Sequence, residues 1–324
     1  MNKRIAVIDG GFSDEAQISF KSADTVMYNL DPDQYEAHRI RITDNNWIYD
    51  PEGRRLSVDK NDFSVDLDGV KLLFDCAMII IHGTPGEDGK LQGYFDLIGL
   101  PYTTCDQLTS TLTFNKYFCN RVLETYGIKC AKALLFRHSN EFTDQQVIDQ
   151  LGLPCFVKPN DGGSSFGAAK VNTAAELRDC ILNAFEHGKQ VIVEEFMAGT
   201  EVTNGIYHNG QDIQPLPVTE IVTTNDFFDY KAKYNGESEE ITPARISDEL
   251  TKSIKSTSKD IYQKLGLDGV CRVDYIIREG VPHVIEINTI PGQSAESITP
   301  KMAAIEGISM AQLFSTLIEN ATGR

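Results

Sequence analysis

Paired cysteines and long apolar runs are both missing from this sequence. The seven cysteines are an odd number without a C-x-x-C pair, which argues against a disulfide framework and a zinc site and is typical of a reducing cytosol. No apolar run approaches the length of a membrane span. The N-terminal apolar stretch at residues 5–8 is far too short for a signal peptide. We therefore expect a cytoplasmic protein without a membrane anchor.

Basic residues are also scarce. Lys and Arg total 30 against 47 Asp and Glu, which gives a net charge of −17. Binding to a nucleic-acid backbone needs clustered Lys and Arg, so the net charge argues against a general nucleic-acid binder. If the chain binds a smaller polyanion, positive charge must be placed locally.

The chain of 324 residues is too long for one compact core and fits two or three domains. The pattern along the chain predicts three, at 1–104, 105–195 and 196–324. The first has the pattern of a doubly wound α/β unit: strand-like IAVI precedes the loop DGGFSDE, and strand-like CAMIII precedes HGTPGEDG. Loops that follow buried strands are where such sheets bind ligands. The second predicts an α+β unit, beginning with a helix that carries Phe114, Phe118 and Val122 on one face.

A predicted hairpin, VCRVDYII–REGVP–HVIEIN, is the most informative segment of the third domain. If the five-residue loop 278–282 joins its arms symmetrically, Asp274 lies opposite Glu286 and Arg272 lies opposite Asn288. Two facing carboxylates repel each other, and a divalent cation removes the conflict. Oxygen ligands of this kind favour Mg²⁺ that bridges substrate phosphates, although a solvated polar face neutralised by Arg272 is the alternative.

Other segments carry the residue types that bind a nucleotide. Lys158 ends a strand and is followed by NDGGSSFG, whose backbone N–H groups can converge on an anion. Glu194, Glu195 and Glu201 follow an apolar strand and could accept hydrogen bonds from a base and a ribose. Taken one at a time, a flexible turn, an exposed acidic loop or a surface lysine at Lys116 is the commoner explanation.

A long aperiodic stretch, 219–244, contains DFFDYKAKYNGESEE with Lys233 and Tyr234. A stretch of this length is usually a lid or a binding loop. A disordered linker is the alternative, but four aromatic residues within it argue against disorder.

Taken together and in order, seven segments resemble the D-alanine–D-alanine ligases of the ATP-grasp superfamily. The resemblance covers nearly the whole chain. It rests on GGFSDEAQIS, HGTPGEDGKLQG, FVKPNDGGSSFGAAKV, EEFMAGTE, DYKAKY, CRVDY and EINTIPGQSAES. It implies an ATP-grasp fold with an N-terminal Rossmann-like substrate domain, a central ATP-grasp subdomain and a C-terminal ATP-grasp domain.

The resemblance assigns roles residue by residue. Glu15 is similar to the carboxylate that holds the first D-alanine, with Ser164, Tyr234 and His82 near it. Arg272 and the N–H of Gly292 resemble an oxyanion hole, and Ser297 with Lys233 resembles the site of the second D-alanine. The implied ATP contacts are Lys116, Lys158, Ser165, Glu194, Glu195, Met197 and Glu201. The implied Mg²⁺ ligands are Asp274, Glu286 and Asn288.

The implied reaction joins two D-alanines through a D-alanyl phosphate for peptidoglycan precursor synthesis. It uses ATP and two Mg²⁺ ions, with Mn²⁺ as a substitute, and the family resemblance implies a homodimer. Three alternatives remain open: a ligase that uses D-lactate or D-serine as its second substrate, another ATP-grasp enzyme, and an inactive nucleotide sensor. The pair Lys233–Tyr234 goes with D-alanine in this family.

Overall fold

Three β-sheets and the helices around them make up the part of the chain that the structure describes. The computed structural model describes residues 2–13, 15–163, 166–223 and 238–323. In this part of the chain, no helix is both long enough and apolar enough to cross a membrane.

The N-terminal sheet has seven strands in the order β6-β5-β4-β3-β2-β1-β7. The strands are β1 (Lys3–Gly10), β2 (Tyr35–Ile42), β3 (Trp47–Tyr49), β4 (Leu56–Asp59), β5 (Ser64–Leu67), β6 (Val70–Leu72) and β7 (Cys76–Ile79). Strands β2, β1 and β7 are parallel, as the doubly wound prediction requires, whereas β2 to β6 form an antiparallel meander. Helices α1 (Ala16–Asn29) and α2 (Lys90–Ile98) follow the loops at the carboxyl ends of β1 and β7. These loops lie side by side because the two strands pair directly.

Two short helices, α3 (Gln107–Phe114) and α4 (Lys116–Thr125), lead into the central sheet. The prediction of a single helix through Phe114 and Phe118 was therefore wrong. Asn115 has an extended backbone and caps α4 by accepting a hydrogen bond from the N–H of Phe118, whose side chain is 40% exposed. An asparagine at this point is a strong signal for a new helix.

The central sheet is antiparallel in the order β10-β9-β11-β8. Its strands are β8 (Ala133–Phe136), β9 (Cys155–Pro159), β10 (Ala169–Val171) and β11 (Val191–Glu195). Helices α5 (Asp144–Leu151) and α6 (Ala174–His187) cover one face, with Val147, Leu177 and Ile181 buried against the strands. This is the α+β unit expected from the sequence.

The C-terminal sheet is antiparallel in the order β14-β13-β12-β15-β16. Its strands are β12 (Thr200–His208), β13 (Ile213–Thr223), β14 (Ser238–Ile241), β15 (Val270–Arg278) and β16 (Val281–Asn288). The helices of this region are α7 (Asp248–Leu265), α8 (Ile298–Ile305) and α9 (Met310–Thr322). The stretch 219–244 is thus not aperiodic at its ends, because β13 extends to Thr223 and β14 begins at Ser238.

Each sheet falls within one of the three predicted segments, but the packing crosses between them. Phe314 and Leu317 of α9 belong to the same buried cluster as Val7 of β1 and Met78 of β7. The C-terminal helix therefore covers a face of the N-terminal sheet. The domain boundaries at 104 and 195 stay a prediction.

Candidate active site

Residues of the central and C-terminal sheets line a cavity of about 670 Å³. Phe156, Phe166, Ile276 and Ile285 give it apolar surface. The predicted nucleotide contacts that line it are Lys116, Lys158, Glu194, Glu195, Met197 and Glu201, and Glu15 and Glu286 line it too. Ser165, the remaining predicted contact, lies outside the described residues.

The Lys158 ammonium lies 2.8 Å from the Glu194 carboxylate, and both side chains are buried. They meet because β9 and β11 are adjacent antiparallel strands. Burial by itself lowers the pKa of Lys158, but the carboxylates of Glu194, Glu286 and Glu201 outweigh it, so the pKa is raised. The sequence assigned Lys158 and Glu194 to opposite ends of a nucleotide, whereas the structure puts them in direct contact.

Lys116 connects the glycine-rich loop to the hairpin. Its Nζ donates to the carbonyl oxygen of Gly162 at 2.7 Å and lies 3.4 Å from Glu286 Oε2. Lys116 and Lys158 therefore place their positive charges at the same end of the cavity. This supplies the local positive charge that an acidic chain needs to bind a polyanion.

The side chain of Glu195 points away from that of Glu194, because successive side chains of a strand point to opposite faces. Its Oε2 accepts a hydrogen bond from Arg278 at 3.1 Å and its Oε1 accepts one from the N–H of Lys132 at 3.0 Å. The Glu195 carboxylate is thus held at the rim of the cavity, away from Lys158.

The hairpin β15–β16 has the predicted pairing, with Asp274 opposite Glu286 and Arg272 opposite Asn288. The connection is not the predicted five-residue loop. It is a two-residue turn at Glu279–Gly280, where both residues have positive φ angles of 51° and 76°. A bulge between Asp274 and Tyr275 then shifts the register by one residue and restores the predicted pairs.

The bulge has a second consequence, since it places two successive residues of β16 on the same side. Ile285 and Glu286 both line the cavity, although neighbours in a regular strand point to opposite faces. Glu286 thereby reaches Lys116 while Ile285 adds apolar surface. The bulge is therefore a feature of the site and not only a correction of the register.

Asp274 accepts four hydrogen bonds. Its Oδ1 accepts from Arg272 Nε at 2.9 Å and Thr203 Oγ1 at 2.5 Å, and its Oδ2 accepts from Arg272 Nη2 at 3.0 Å and Asn288 Nδ2 at 2.9 Å. A carboxylate has about four acceptor positions, so Asp274 must exchange at least one donor to bind a metal. Within the described residues, no group of three His, Cys, Asp or Glu side chains is placed so that it could hold a metal ion by itself.

The oxygen donors around Asp274 nevertheless fit Mg²⁺. Asp274 and Glu286 supply two carboxylates on adjacent strands, and Asn288 adds an amide oxygen. Mg²⁺ typically uses one or two carboxylates and takes its other ligands from water and substrate phosphates.

Glu15 lies where the loops after β1 and β7 meet the glycine-rich loop. A Cβ atom added at Gly163 would lie 2.7 Å from Glu15 Oε2, so only glycine allows the carboxylate this close to the loop. Glu15 occupies the N-cap position of α1, but its side chain does not cap the helix. Ser164, Lys233 and Tyr234, the other predicted contacts of the substrates, lie outside the described residues.

The imidazole ring of His82 is buried and makes one hydrogen bond among the described residues. Its Nδ1 lies 2.8 Å from the carbonyl oxygen of Ile290, which can only accept, so Nδ1 carries the proton. Burial lowers the pKa of His82, although the Glu15 carboxylate opposes the shift. The neutral ring then presents Nε2 as an acceptor, and this atom has no hydrogen-bond partner among the described residues.

Glu87 is a residue that the sequence analysis did not assign. Its Oε2 accepts from the N–H of Gly83 at 2.7 Å and its Oε1 accepts from the N–H of Ile290 at 3.2 Å. Burial, with the nearby Glu15 carboxylate, raises the pKa of Glu87 to about 8. Glu87 and His82 thus form hydrogen bonds with the backbone N–H and the carbonyl oxygen of Ile290, which lies two residues before Gly292.

Ser297 lies against Gly292, because a Cβ atom added at Gly292 would be 2.6 Å from Ser297 Oγ. Ser297 is the N-cap residue of α8, yet its hydroxyl does not cap the helix and instead contacts Ser294 Oγ at 2.8 Å. A hydroxyl and a helix N-terminus at one place suit a carboxylate. Glu87 and Thr203 were missed because only tertiary contacts reveal them, whereas the contact of Ser294 with Ser297 is local and spans three residues.

Two family models match this chain. The model described as D-ala D-ala ligase N-terminus matches residues 4–105, and the model described as D-ala D-ala ligase C-terminus matches residues 122–319. Together they span most of the sequence, including Glu15 in the first match and the hairpin β15–β16 in the second.

Individual proteins are similar over the full length. The D-alanine–D-alanine ligase of Parabacteroides distasonis is 48% identical over 323 residues, which cover 99% of this chain and 98% of the relative. The VanG D-Ala:D-Ser ligase of Enterococcus faecalis has a TM-score of 0.88 at 33% identity and covers 98% of this chain and 99% of its own. The D-alanine–D-alanine ligase of Bacillus anthracis, solved in complex with ATP, has a TM-score of 0.80 at 28% identity, with 99% and 98% covered. The chain therefore belongs to the D-alanine–D-alanine ligase family.

Proposed function

We propose that this chain joins two D-alanine molecules into D-alanyl-D-alanine, converts ATP to ADP and phosphate, and so supplies a peptidoglycan precursor. One observation supports this most strongly. Lys116 contacts both the glycine-rich loop and Glu286 of the hairpin, so phosphate-binding and metal-binding residues share one end of the cavity. The family and its relatives are named for this reaction.

ATP is proposed to occupy the cavity with its phosphates at Lys116 and Lys158. The apolar walls formed by Phe156, Met197 and Ile276 suit a purine base, and Glu201 suits the ribose hydroxyls. Glu194 is proposed to hold Lys158 as well as to accept from the base. Ser165 is proposed to contribute from the glycine-rich loop.

Asp274, Glu286 and Asn288 are proposed to hold Mg²⁺, with two ions per site and Mn²⁺ as a substitute. When bound, the metal offsets the negative charge of the phosphate oxygens. Arg272 donates two hydrogen bonds to Asp274 and thereby fixes the direction of its own guanidinium. The arginine is thus oriented before any substrate arrives.

The first D-alanine is proposed to bind with its ammonium at Glu15, close to Gly163, and its carboxylate toward the lysines. His82 accepts through Nε2 and so favours a donor on this substrate. Ser164 and Tyr234 are proposed to complete the site. The carboxylate oxygen then attacks the γ-phosphorus of ATP, the bond to the β–γ bridging oxygen breaks, and ADP leaves.

The second D-alanine is proposed to bind with its carboxylate at Ser297, the N-terminus of α8 and Lys233. Its amine attacks the acyl carbon, and the resulting oxyanion accepts from Arg272 and the N–H of Gly292. Glu87 and His82 make hydrogen bonds to the backbone of Ile290, and these bonds keep the loop that contains Gly292 in position. Collapse of the intermediate releases phosphate and forms the peptide bond.

Three further assignments belong to the same proposal. The domains are 1–104, 105–195 and 196–324, with the site at their junction. The protein acts as a homodimer, as the family resemblance implies. The protein is proposed to act in the cytoplasm, because ATP is supplied inside cells.

The test is ADP release by the purified protein with and without D-alanine, followed by chromatography of the products. D-alanine should be required, and the dipeptide should form in an amount equal to ADP. ADP release that is equal without D-alanine would contradict the proposal. A second candidate function is a ligase that uses D-serine as its second substrate, which the similarity to the VanG D-Ala:D-Ser ligase favours. Competition between D-alanine, D-serine and D-lactate as acceptors tests it.

A further inference from the structure

Asn160 is fully buried and is hydrogen-bonded through four groups. Its backbone N–H donates to the carbonyl oxygen of Gln190 at 2.9 Å, and its side-chain Nδ2 donates to Gln190 Oε1 at 2.9 Å. Its backbone oxygen accepts from the N–H of Lys116 at 3.1 Å, and its Oδ1 accepts from the N–H of Tyr117 at 2.8 Å. One residue thus joins the ends of β9 and β11 to the start of α4.

The start of α4 is capped by two asparagines from different parts of the chain. The first N–H groups of a helix have no partner within it. Asn115 satisfies the N–H of Phe118 in the usual local way, whereas Asn160, 45 residues further along, satisfies those of Lys116 and Tyr117. The beginning of the helix is therefore fixed to the loop that follows β9 and not only to its own chain.

This arrangement fixes the two lysines of the cavity relative to each other. Lys116 is the first residue of α4, and Lys158 lies two residues before Asn160 on β9. Gly162 lies two residues after Asn160, and its backbone oxygen accepts a hydrogen bond from Lys116 Nζ at 2.7 Å. Asn160 itself does not line the cavity, whereas Lys116, Lys158, Asp161 and Gly162 do.

We propose that Asn160 is a positioning residue for the polyphosphate of the nucleotide: it sets the separation of the Lys116 and Lys158 ammonium groups and the position of Gly162 in the glycine-rich loop. This inference rests on the proposed function, because it assumes that the lysines bind phosphates. The proposed adenine end of the cavity, at Met197, follows β11, whereas Gln190, the partner of the Asn160 side chain, precedes this strand. Loss of Asn160 should therefore weaken ATP binding and spare adenosine binding.

The experiment is isothermal titration calorimetry of the full chain with ATP and with adenosine, both in Mg²⁺ buffer. For Asn160→Ala, which leaves the N–H of Tyr117 unsatisfied, the Kd for ATP should rise about tenfold while that for adenosine changes by less than about twofold. Gln190→Ala removes only the outer partner of the asparagine and should give a smaller change in the same direction. If Asn160→Ala does not fold, the affinities of Gln190→Ala for ATP and adenosine provide the test.

Asn115→Ala is the matched control, because it removes the other cap from the same helix without touching the glycine-rich loop. It should lower Tm by a similar amount and keep the ATP-to-adenosine affinity ratio of the wild type. Equal loss of ATP and adenosine affinity in Asn160→Ala, or no loss of either, would overturn the inference. ATP binding without D-alanine-dependent ADP release in the wild type would instead count against the proposed function.

Discussion

Lys158 Nζ lies 2.8 Å from Glu194 Oε2, with 9% and 6% of the two side chains exposed. A buried ammonium is tolerated only with a partner, and the raised pKa of Lys158 shows that the surrounding carboxylates outweigh its burial. The lysine therefore stays charged throughout the neutral pH range, ready to meet a phosphate.

Glu194→Gln should remove that partner and lower the free energy of unfolding by about 3 kcal/mol, measured by urea denaturation. ATP should restore more stability to this variant than to the wild type, because a phosphate replaces the lost anion. Glu195→Gln is the control, since its carboxylate pairs with the half-exposed Arg278 and should cost less than about 1 kcal/mol. Equal decreases in the free energy of unfolding of the two variants would show that the Lys158–Glu194 pair contributes no more to stability than the Arg278–Glu195 pair.

Glu286→Gln should abolish D-alanine-dependent ADP release and leave Tm nearly unchanged. The substitution removes one charge from the facing pair Asp274–Glu286, which offsets the weakened contact with Lys116. Glu279→Gln, in the exposed turn of the same hairpin, should keep full activity. A Glu286→Gln protein that is unstable but fully active when folded would assign Glu286 a structural role.

Metal binding should depend on the nucleotide. Asp274 already accepts four hydrogen bonds, so Mn²⁺ alone must displace a donor, whereas ATP brings phosphate oxygens as further ligands. Electron paramagnetic resonance of free Mn²⁺ should show tight binding only when a non-hydrolysable ATP analogue is present. Equally tight binding without the analogue would mean that the protein ligands form a complete site.

Glu87 should make stability depend on pH. Its pKa is about 8 in the folded protein and near 4.5 when unfolded, so the unfolded state releases the proton first as pH rises. Stability from this group is therefore greatest below pH 4.5 and falls by on the order of 4 kcal/mol up to pH 8. The unfolding free energy of the wild type minus that of Glu87→Gln should decrease from pH 5 to pH 8, measured without ligands. A constant difference would refute the raised pKa.

Much of the site could be predicted because its residues are placed by local patterns. Strand alternation gave the facing pairs of the hairpin, and the order of the loops gave the family. The pairing was right although the loop was wrong, since a two-residue turn and a bulge together give the same register. The sequence Glu279–Gly280 resembles the Asp-Gly signal for such a turn and could have identified it.

Contacts between distant segments could not be predicted in this way. Glu87 and His82 act on Ile290 from about 200 residues away, and Asn160 caps a helix that begins 44 residues earlier. The motif HGTPGEDG marks the loop that carries His82 and Glu87, but nothing in the local sequence identifies Ile290 or the start of α4 as the partners of these side chains. The break at Asn115 is different, because its capping signal was present and the apolar spacing across it was given too much weight.

The central claim is that the carboxylate of one D-alanine becomes an acyl phosphate before the peptide bond forms. Attack by that carboxylate leaves one of its oxygens on phosphorus, and the later attack by the amine breaks the carbon–oxygen bond. With D-alanine labelled with ¹⁸O in both carboxylate oxygens, the inorganic phosphate should therefore carry one ¹⁸O atom, detected by mass spectrometry. Unlabelled phosphate, or label that appears in AMP, would contradict the account.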